Sequence, residues 1–377
     1  MKTIGRYLRR EILAAVVFVL AGFLALFAFF DFINELDDLG RGGYELQHAV
    51  AVVALGLPGR VYELMPIAAL IGTIFALSQF ATHSEFTAMR ASGLGRRQAL
   101  AAIASVGAWL ALATAGVGEL ITPQSEKLAQ TVRLGAIGGA IGGQYRSGLW
   151  VKDAVKEPSG AALRTRFVNI GELAPDASMR GLRVFEFDRE LRLVEILEAR
   201  AGRFSPPGAW RLEEVERTVF SRVTVAGNTV ALRAERSRES ALAWPSELNP
   251  DLLGVLVLVP ERMSAWALSQ YVQHLRENQQ QANRYEIALW KKLVYPLAVI
   301  VMLALALPFG YLQARAGGTG YKVFAGIMLG VAFHFLNSLF SHLGLLNTWP
   351  AWLAASVPSL VAVALALGLL AWVDRAR

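Results

Sequence analysis

The residues with the clearest chemical potential lie in a short charged segment, residues 82–95, between two long apolar runs. Glu85 is followed by the apolar Phe86 and Met89, and glycines occur within 93–95. Because glycine commonly ends helices, the spacing predicts a short helix. A lone carboxylate among apolar side chains is suited to docking into a groove on another protein and pairing with an arginine there. Considered in isolation, Glu85 can also be an ordinary solvated charge in a loop. The residues expected at this contact are Glu85, Phe86, Met89 and Arg90.

Motifs for catalysis are absent from the sequence. Gly317–Lys322 is the nearest approach to a nucleotide-binding loop, but it lacks the required spacing and the final Ser or Thr. No H-E-x-x-H or G-x-S-x-G motif occurs, and the chain has no cysteine. We therefore expect no catalytic residue, no metal ligands and no cofactor in this chain. Any energy-consuming step requires a partner ATPase that uses ATP and Mg²⁺.

The composition is that of a membrane protein. Of 377 residues, 54% are hydrophobic, and the mean hydropathy is +0.41. A helix that crosses a bilayer needs about 20 apolar residues. The runs that satisfy this requirement are 12–33, 58–80, 98–121, 293–312, 322–343 and 351–373. The fold class predicted is an α-helical membrane protein with six transmembrane helices, and the first apolar run is interpreted as a retained span rather than a signal peptide.

The net charge of +7 follows membrane topology. In a six-span arrangement, the basic residues near the span ends fall on one side of the membrane. They are Lys2, Arg6, Arg9, Arg10, Arg90, Arg96, Arg97, Arg315, Lys322, Arg375 and Arg377. Lys and Arg concentrate in cytoplasmic loops, so both termini are predicted to be cytoplasmic. This distribution argues against nucleic acid as a partner.

A long polar insertion separates the two sets of three spans. Residues 1–121 hold spans one to three, 122–263 form a segment outside the cytoplasm, and 264–377 hold an amphipathic connector and spans four to six. Within about 144–255, apolar and polar residues alternate in seven or more short runs separated by turn residues. This pattern predicts an all-β, jelly-roll-like domain. The first external loop, residues 34–57 between spans one and two, includes an apolar piece, 49–57, that is expected to lie at the membrane interface.

Several residues in or near the spans are candidates for lipid contact or helix packing. Lys127 and Arg133 follow span three and are available to anionic head groups, or are ordinary solvated charges. Gly326 and Gly330 form a G-x-x-x-G pattern in span five, which indicates close helix contact or a gate between two half-transporters. The candidates for lipid binding are Phe27, Phe30, Asp31, Lys127, Arg133 and Asn337.

With these residues in view, the chain resembles the LptF/LptG permease family of the lipopolysaccharide export ABC transporter, along nearly its whole length. The matching stretches are Ser84–Gly93, Pro123–Glu126, Gly148–Asp153, Tyr285 and Trp290–Pro296. Gly148–Asp153 and Leu248–Gly254 favour the LptG branch, with the LptF branch as the alternative. Rivals outside the family are a membrane scaffold and a motion-transmitting subunit that serves lipoproteins.

The resemblance implies a function and a set of partners. An LptF–LptG pair would enclose a cavity between spans one and five, and lipopolysaccharide would enter it from the outer leaflet of the Gram-negative inner membrane. An LptB ATPase dimer would bind the coupling helix, with Glu85 as its carboxylate. The lipid would then pass to LptC and LptA, joined to the sheet domain by edge stacking. Arg133 matches a basic position of the family.

One position departs from the family pattern. Other members carry lysine near the outer end of span one, whereas this chain has Asp31, Asp37 and Asp38. Three explanations stay open from sequence: compensation by other basic residues, a bridging divalent cation, or a lipid of different charge.

Overall fold

A computed structural model describes most of the chain. The described residues are 2–92, 96–137, 147–156, 162–174, 178–205, 209–225, 229–246, 248–250, 253, 259–278, 280–311, 319–347 and 349–375.

Six helices are long and apolar enough to cross a membrane, which confirms the predicted fold class. The helical bounds are α1 Lys2–Leu36, α2 Leu46–Thr82, α3 Glu85–Ala91, α4 Arg96–Gly116, α5 Thr122–Ile137, α6 Ala265–Glu277, α7 Asn283–Tyr311, α8 Thr319–Leu346 and α9 Ala351–Arg375. A π-helical turn, Val117–Ile121, joins α4 to α5. The six candidate spans comprise α1, α2, the α4–α5 rod, α7, α8 and α9.

Span two begins earlier than the sequence pattern predicted. The apolar piece 49–57 is part of α2, which starts at Leu46, so its assignment as a separate interfacial segment was wrong. A capping box explains the start. The Glu45 backbone N–H donates to His48 Nδ1 at 3.0 Å, and the Glu45 side chain caps the first turn in return.

The described elements between residues 149 and 245 are all β-strands, as expected for the sheet domain. Its strands are β1 Leu149–Lys156, β2 Ala162–Leu173, β3 Met179–Phe187, β4 Leu193–Ser205, β5 Ala209–Val225 and β6 Thr229–Pro245. They form one antiparallel sheet in the order β1-β2-β3-β4-β5-β6. The described pairings are therefore those of a meander, without the crossovers of a full jelly roll. The alternating pattern predicted two short strands, Trp210–Val215 and Val219–Val225, which form the single strand β5, and the described strands number six.

One face of the sheet carries its hydrophobic core. Trp210 is completely buried and packs with Leu212, Leu182 and Val184. The chain after β6 covers this core: Trp210 Nε1 donates to the carbonyl oxygen of Leu248 at 2.7 Å. Farther along the sheet, Glu186 accepts hydrogen bonds from Arg164 and Arg166, and Glu195 accepts two from Arg217. The face thus changes from apolar to ionic along its length.

In the membrane domain, α2 lies between α1 and α8. Gly72 of α2 meets the α1 backbone: a Cβ atom added there would lie 2.6 Å from Val16 Cα. On another face, Gly326 and Gly330 of α8 approach Ile74 and Ile67 of α2. The structure therefore places the G-x-x-x-G pair at a contact within the chain.

We expect Gly72→Ala to destabilise the membrane domain, because the added methyl group would displace α1 backbone atoms rather than a flexible side chain. Overpacking of this kind costs about 1–3 kcal/mol. Gly22→Ala is the matched control, since a Cβ atom at Gly22 meets nothing within 4 Å. Thermal unfolding in detergent should separate the two variants. Equal melting temperatures would contradict a tight α1–α2 contact at Gly72.

Candidate functional site

The outward faces of α1 and α8 are apolar and largely uncovered within the chain. In the most apolar stretch of each helix only 17% of residues are buried, against 78% in α2. The large exposed side chains on these faces are Val17, Phe18, Leu26, Phe29, Phe30, Phe324, Ile327, Met328, Val331 and Phe335. Such faces contact either lipid or another membrane protein. Phe30, a predicted lipid contact, lies on this surface, with 51% of its area exposed.

Asp31 does not face this surface as an unpaired anion. Arg60 of α2 forms a two-point contact with its carboxylate, from Nε to Oδ2 at 2.9 Å and from Nη2 to Oδ1 at 2.6 Å. The same guanidinium donates to Glu63 at 3.0 Å and lies 5.3 Å from the ring centroid of Phe27. Asp31 is thus held by a basic residue of its own chain.

A second ionic cluster joins the loop after α1 to α5. Arg133 forms ion pairs with Asp38 and, at 3.5 Å, with Glu35. Arg41 also pairs with Asp38, and the buried Tyr44 hydroxyl donates to Glu35 at 2.7 Å. Arg133 is thus paired with two carboxylates of its own chain. A lipid phosphate that contacted Arg133 would have to share the guanidinium group with Glu35 and Asp38. Lys127, the other predicted basic contact, is exposed on the same helix.

The Arg133–Asp38 contact predicts a pH dependence. The hydrogen bond from Arg133 lowers the pKa of Asp38 from its usual 3.8. Since the folded pKa lies below the unfolded one, this stabilisation is complete above the unfolded pKa and is lost as pH falls through the folded value. We expect the melting temperature of the wild type to fall more steeply than that of Asp38→Asn as the pH drops below about 4. Parallel curves would rule out a contribution from this pair.

The short helix α3 is attached to α1 through two side chains. The Tyr7 hydroxyl donates to Glu85 Oε2 at 3.1 Å. Met89 is buried in the cluster that contains Leu8 and Ile12 of α1. The side chains of Phe86 and Arg90 lie outside the part of the chain that the structure describes. Tyr7 was not predicted from sequence, because it lies 78 residues from Glu85 and no local spacing relates them.

Asn337 lines a cavity of about 560 Å³ between α2, α7 and α8. His334, Ser338 and Ser341 of the same α8 face also line it. These four polar residues of α8 therefore line a cavity within the chain, separate from the Gly326–Gly330 contact. Within the described ranges, no group of three or more His, Asp or Glu side chains is arranged to hold a metal ion.

The chain matches the sequence profile of one family, "Lipopolysaccharide export system permease LptF/LptG", over residues 6–372. It belongs to the LptF/LptG family. The lipopolysaccharide export system permease protein LptG of Escherichia coli K12 is 30% identical over 357 residues, 94% of each chain. The LptG protein of Haemophilus influenzae is 27% identical over 362 residues, 96% of each chain. The family predicted from sequence is confirmed, and both of these relatives come from the LptG branch.

Proposed function

We propose that this chain is an LptG-type permease subunit that removes lipopolysaccharide from the inner membrane and passes it towards the outer membrane. The observation that carries the proposal is the family match along almost the whole chain, with relatives named as LptG. The uncovered apolar faces of α1 and α8 support it, because a lipid with several acyl chains needs an apolar passage and a second subunit to enclose it. An LptF-type paralogue is the expected second subunit.

The proposed topology places both termini and α3 in the cytoplasm and the sheet domain in the periplasm. The side with most Lys and Arg near the span ends is then cytoplasmic. The continuous α4–α5 rod supports this arrangement, since it leads directly from a span into the segment before the sheet. Asp38 and Arg133 then lie at the outer end of the membrane domain.

The chain is proposed to have no catalytic role and to follow the motion of a separate LptB ATPase dimer. This partner would use ATP and Mg²⁺ and would bind α3 through Glu85, Phe86, Met89 and Arg90. The contacts of Tyr7 and Met89 support a mechanical route from α3 to α1. A displacement of α3 would then move a helix whose opposite face lines the lipid passage, as in rigid-body switching between subunits.

The sheet domain is proposed to hand the lipid to LptC and LptA through strand addition. The edge strands of the described sheet are β1 and β6. β6 offers the longer edge, Thr229–Pro245, whereas β1 spans only Leu149–Lys156. In β1, the side-chain Nζ of Lys152 also donates a hydrogen bond to the carbonyl oxygen of Asn278. An unpaired edge presents a row of N–H and C=O groups that another strand can complete.

Site-specific photo-crosslinking tests the proposal. Photoreactive residues at Phe30 and Phe335 should capture lipopolysaccharide in cells, while Leu360 and Leu367 on α9, also exposed and apolar, serve as controls. Capture at the control positions alone would exclude a passage beside α1 and α8. Capture of acylated protein instead of glycolipid would favour a lipoprotein carrier. Purification should also yield a six-span paralogue and two ATPase subunits, which a simple scaffold would not require.

A further inference from the structure

The cavity between α2, α7 and α8 contains a buried lysine that lacks a counter-ion in hydrogen-bonding contact. Lys292 is only 7% exposed, and its Nζ atom has no hydrogen-bond partner in the described part of the chain. It lies 4.6 Å from the centroid of the Tyr62 ring. An ammonium group removed from water needs hydrogen-bond acceptors as well as an aromatic face. A ligand that enters the cavity could supply the hydrogen-bond acceptors for the Lys292 ammonium group.

Tyr62 provides a second donor at the same place. It is 8% exposed, its ring packs 5.1 Å from that of Tyr295, and its hydroxyl group has no hydrogen-bond partner among the described residues. Tyr62 and Lys292 both line the cavity. Two buried donors without partners, one from α2 and one from α7, therefore line the same cavity, where an anionic oxygen could accept from them.

The remaining charges at the cavity wall leave it positive. Arg262 is engaged by Glu126 at 2.9 Å, and Glu63 by Arg60 at 3.0 Å. Glu119, which also attracts Lys292, accepts hydrogen bonds from the backbone N–H groups at the start of α6. Among the described residues, the other charges that line the cavity are those of Arg284, Lys291, Lys292 and Glu261. With Glu119 included, three cations then face two carboxylates, which leaves this part of the cavity with a net positive charge.

The other walls favour an amphiphile over a small free ion. Ile287, Ala288 and Leu345 give the cavity an apolar side, and His334, Asn337 and Ser338 give it neutral polar groups along α8. A cavity of about 560 Å³ exceeds what one inorganic anion fills. Its position between membrane helices, beside the start of α7, suits a head group whose chains remain in the bilayer.

We propose that this cavity binds the phosphate-bearing head group of a lipid, with Lys292 and Tyr62 as the inner donors and Lys291 and Arg284 near the entrance. That the lipid is lipopolysaccharide rests on the proposed function. That the cavity binds a phosphate group rests only on the residues that line the cavity. The site is distinct from the outer surface of α1 and α8 on which the proposed passage depends.

Binding to the intact chain, co-expressed with its partner subunits and placed in phosphatidylcholine nanodiscs, tests this proposal. The probes are diphosphorylated lipid A, the same lipid after removal of its phosphates, phosphatidylglycerol and inorganic phosphate. Lys292→Met keeps an unbranched side chain that is one atom shorter and removes its charge. We expect it to weaken lipid A binding at least about tenfold, as expected for losing a charged hydrogen bond. Tyr62→Phe should weaken it less, and the dephosphorylated lipid should not respond to either change.

Lys322→Met is the matched control, since Lys322 is equally buried, at 3% exposure, near the opposite end of α8. It should leave lipid A binding unchanged. Tighter binding of phosphatidylglycerol in wild type than in Lys292→Met would also support the proposal, with a less selective site. Unchanged lipid A affinity in Lys292→Met, or binding of inorganic phosphate alone, would overturn it. Continued lipopolysaccharide capture at Phe30 and Phe335 in that case would leave the proposed function intact.

Discussion

Glu85→Lys should abolish lipid export and uncouple the partner ATPase from the membrane domain. The substitution replaces an expected attraction to a basic groove with repulsion between like charges. It also removes the acceptor of the Tyr7 hydroxyl bond that attaches α3 to α1. Both changes act on the single short helix proposed to carry motion between the subunits. ATPase association, ATP hydrolysis and lipopolysaccharide release should be measured on the same reconstituted preparation.

Two controls separate the causes of this loss. Tyr7→Phe keeps the Glu85 charge and removes only the intramolecular hydrogen bond, so we expect normal ATPase association with reduced export. Glu190→Lys makes the same charge reversal at an exposed turn between β3 and β4 and should change neither measurement. Full export by Glu85→Lys would remove α3 from the coupling mechanism.

Arg60→Met should produce the largest loss of stability, because it leaves Asp31 and Glu63 as neighbouring carboxylates without their shared cation. Removing one partner of a buried ion pair typically costs about 3–5 kcal/mol. The Arg60 side chain is 23% exposed, so we expect about 3 kcal/mol. Resistance to thermal unfolding and to proteolysis in detergent should fall together.

A triple variant tests whether the unpaired charges cause this loss. Adding Asp31→Asn and Glu63→Gln to Arg60→Met removes all three charges and should restore most of the lost stability. If the triple variant is as unstable as Arg60→Met alone, packing of the Arg60 side chain against Phe27 is the cause instead.

The parts of the fold that depend on local sequence were predictable. Long apolar runs predicted the six spans, because a backbone in lipid must satisfy its own hydrogen bonds as a helix. Alternating residues predicted strands in the insertion. The short helix after span two followed from a charged segment between apolar runs, and α3 occupies Glu85–Ala91 within it. These features need no knowledge of distant contacts.

The charge pairings were not predictable in the same way. Asp31 and Arg60 are 29 residues apart, and Asp38 and Arg133 are 95 apart, so only the fold brings them together. One signal was available: Arg60 and Glu63 lie three residues apart in an otherwise apolar run, which indicates a paired, functional position. The continuity of β5 was also missed, since turn residues do not distinguish one long strand from two short ones. The roles of Asp31, Arg133 and Asn337 in lipid contact stay predictions.

The consecutive strand order of the sheet has a consequence for biogenesis. Every described strand pairs with its neighbour in sequence, so each pairing closes only a short loop. Such low contact order lets the domain assemble hairpin by hairpin while the ribosome is still adding α7, α8 and α9. Each new strand then covers the exposed edge of the strand before it, which limits aggregation until the C-terminal half of the membrane domain has been synthesised.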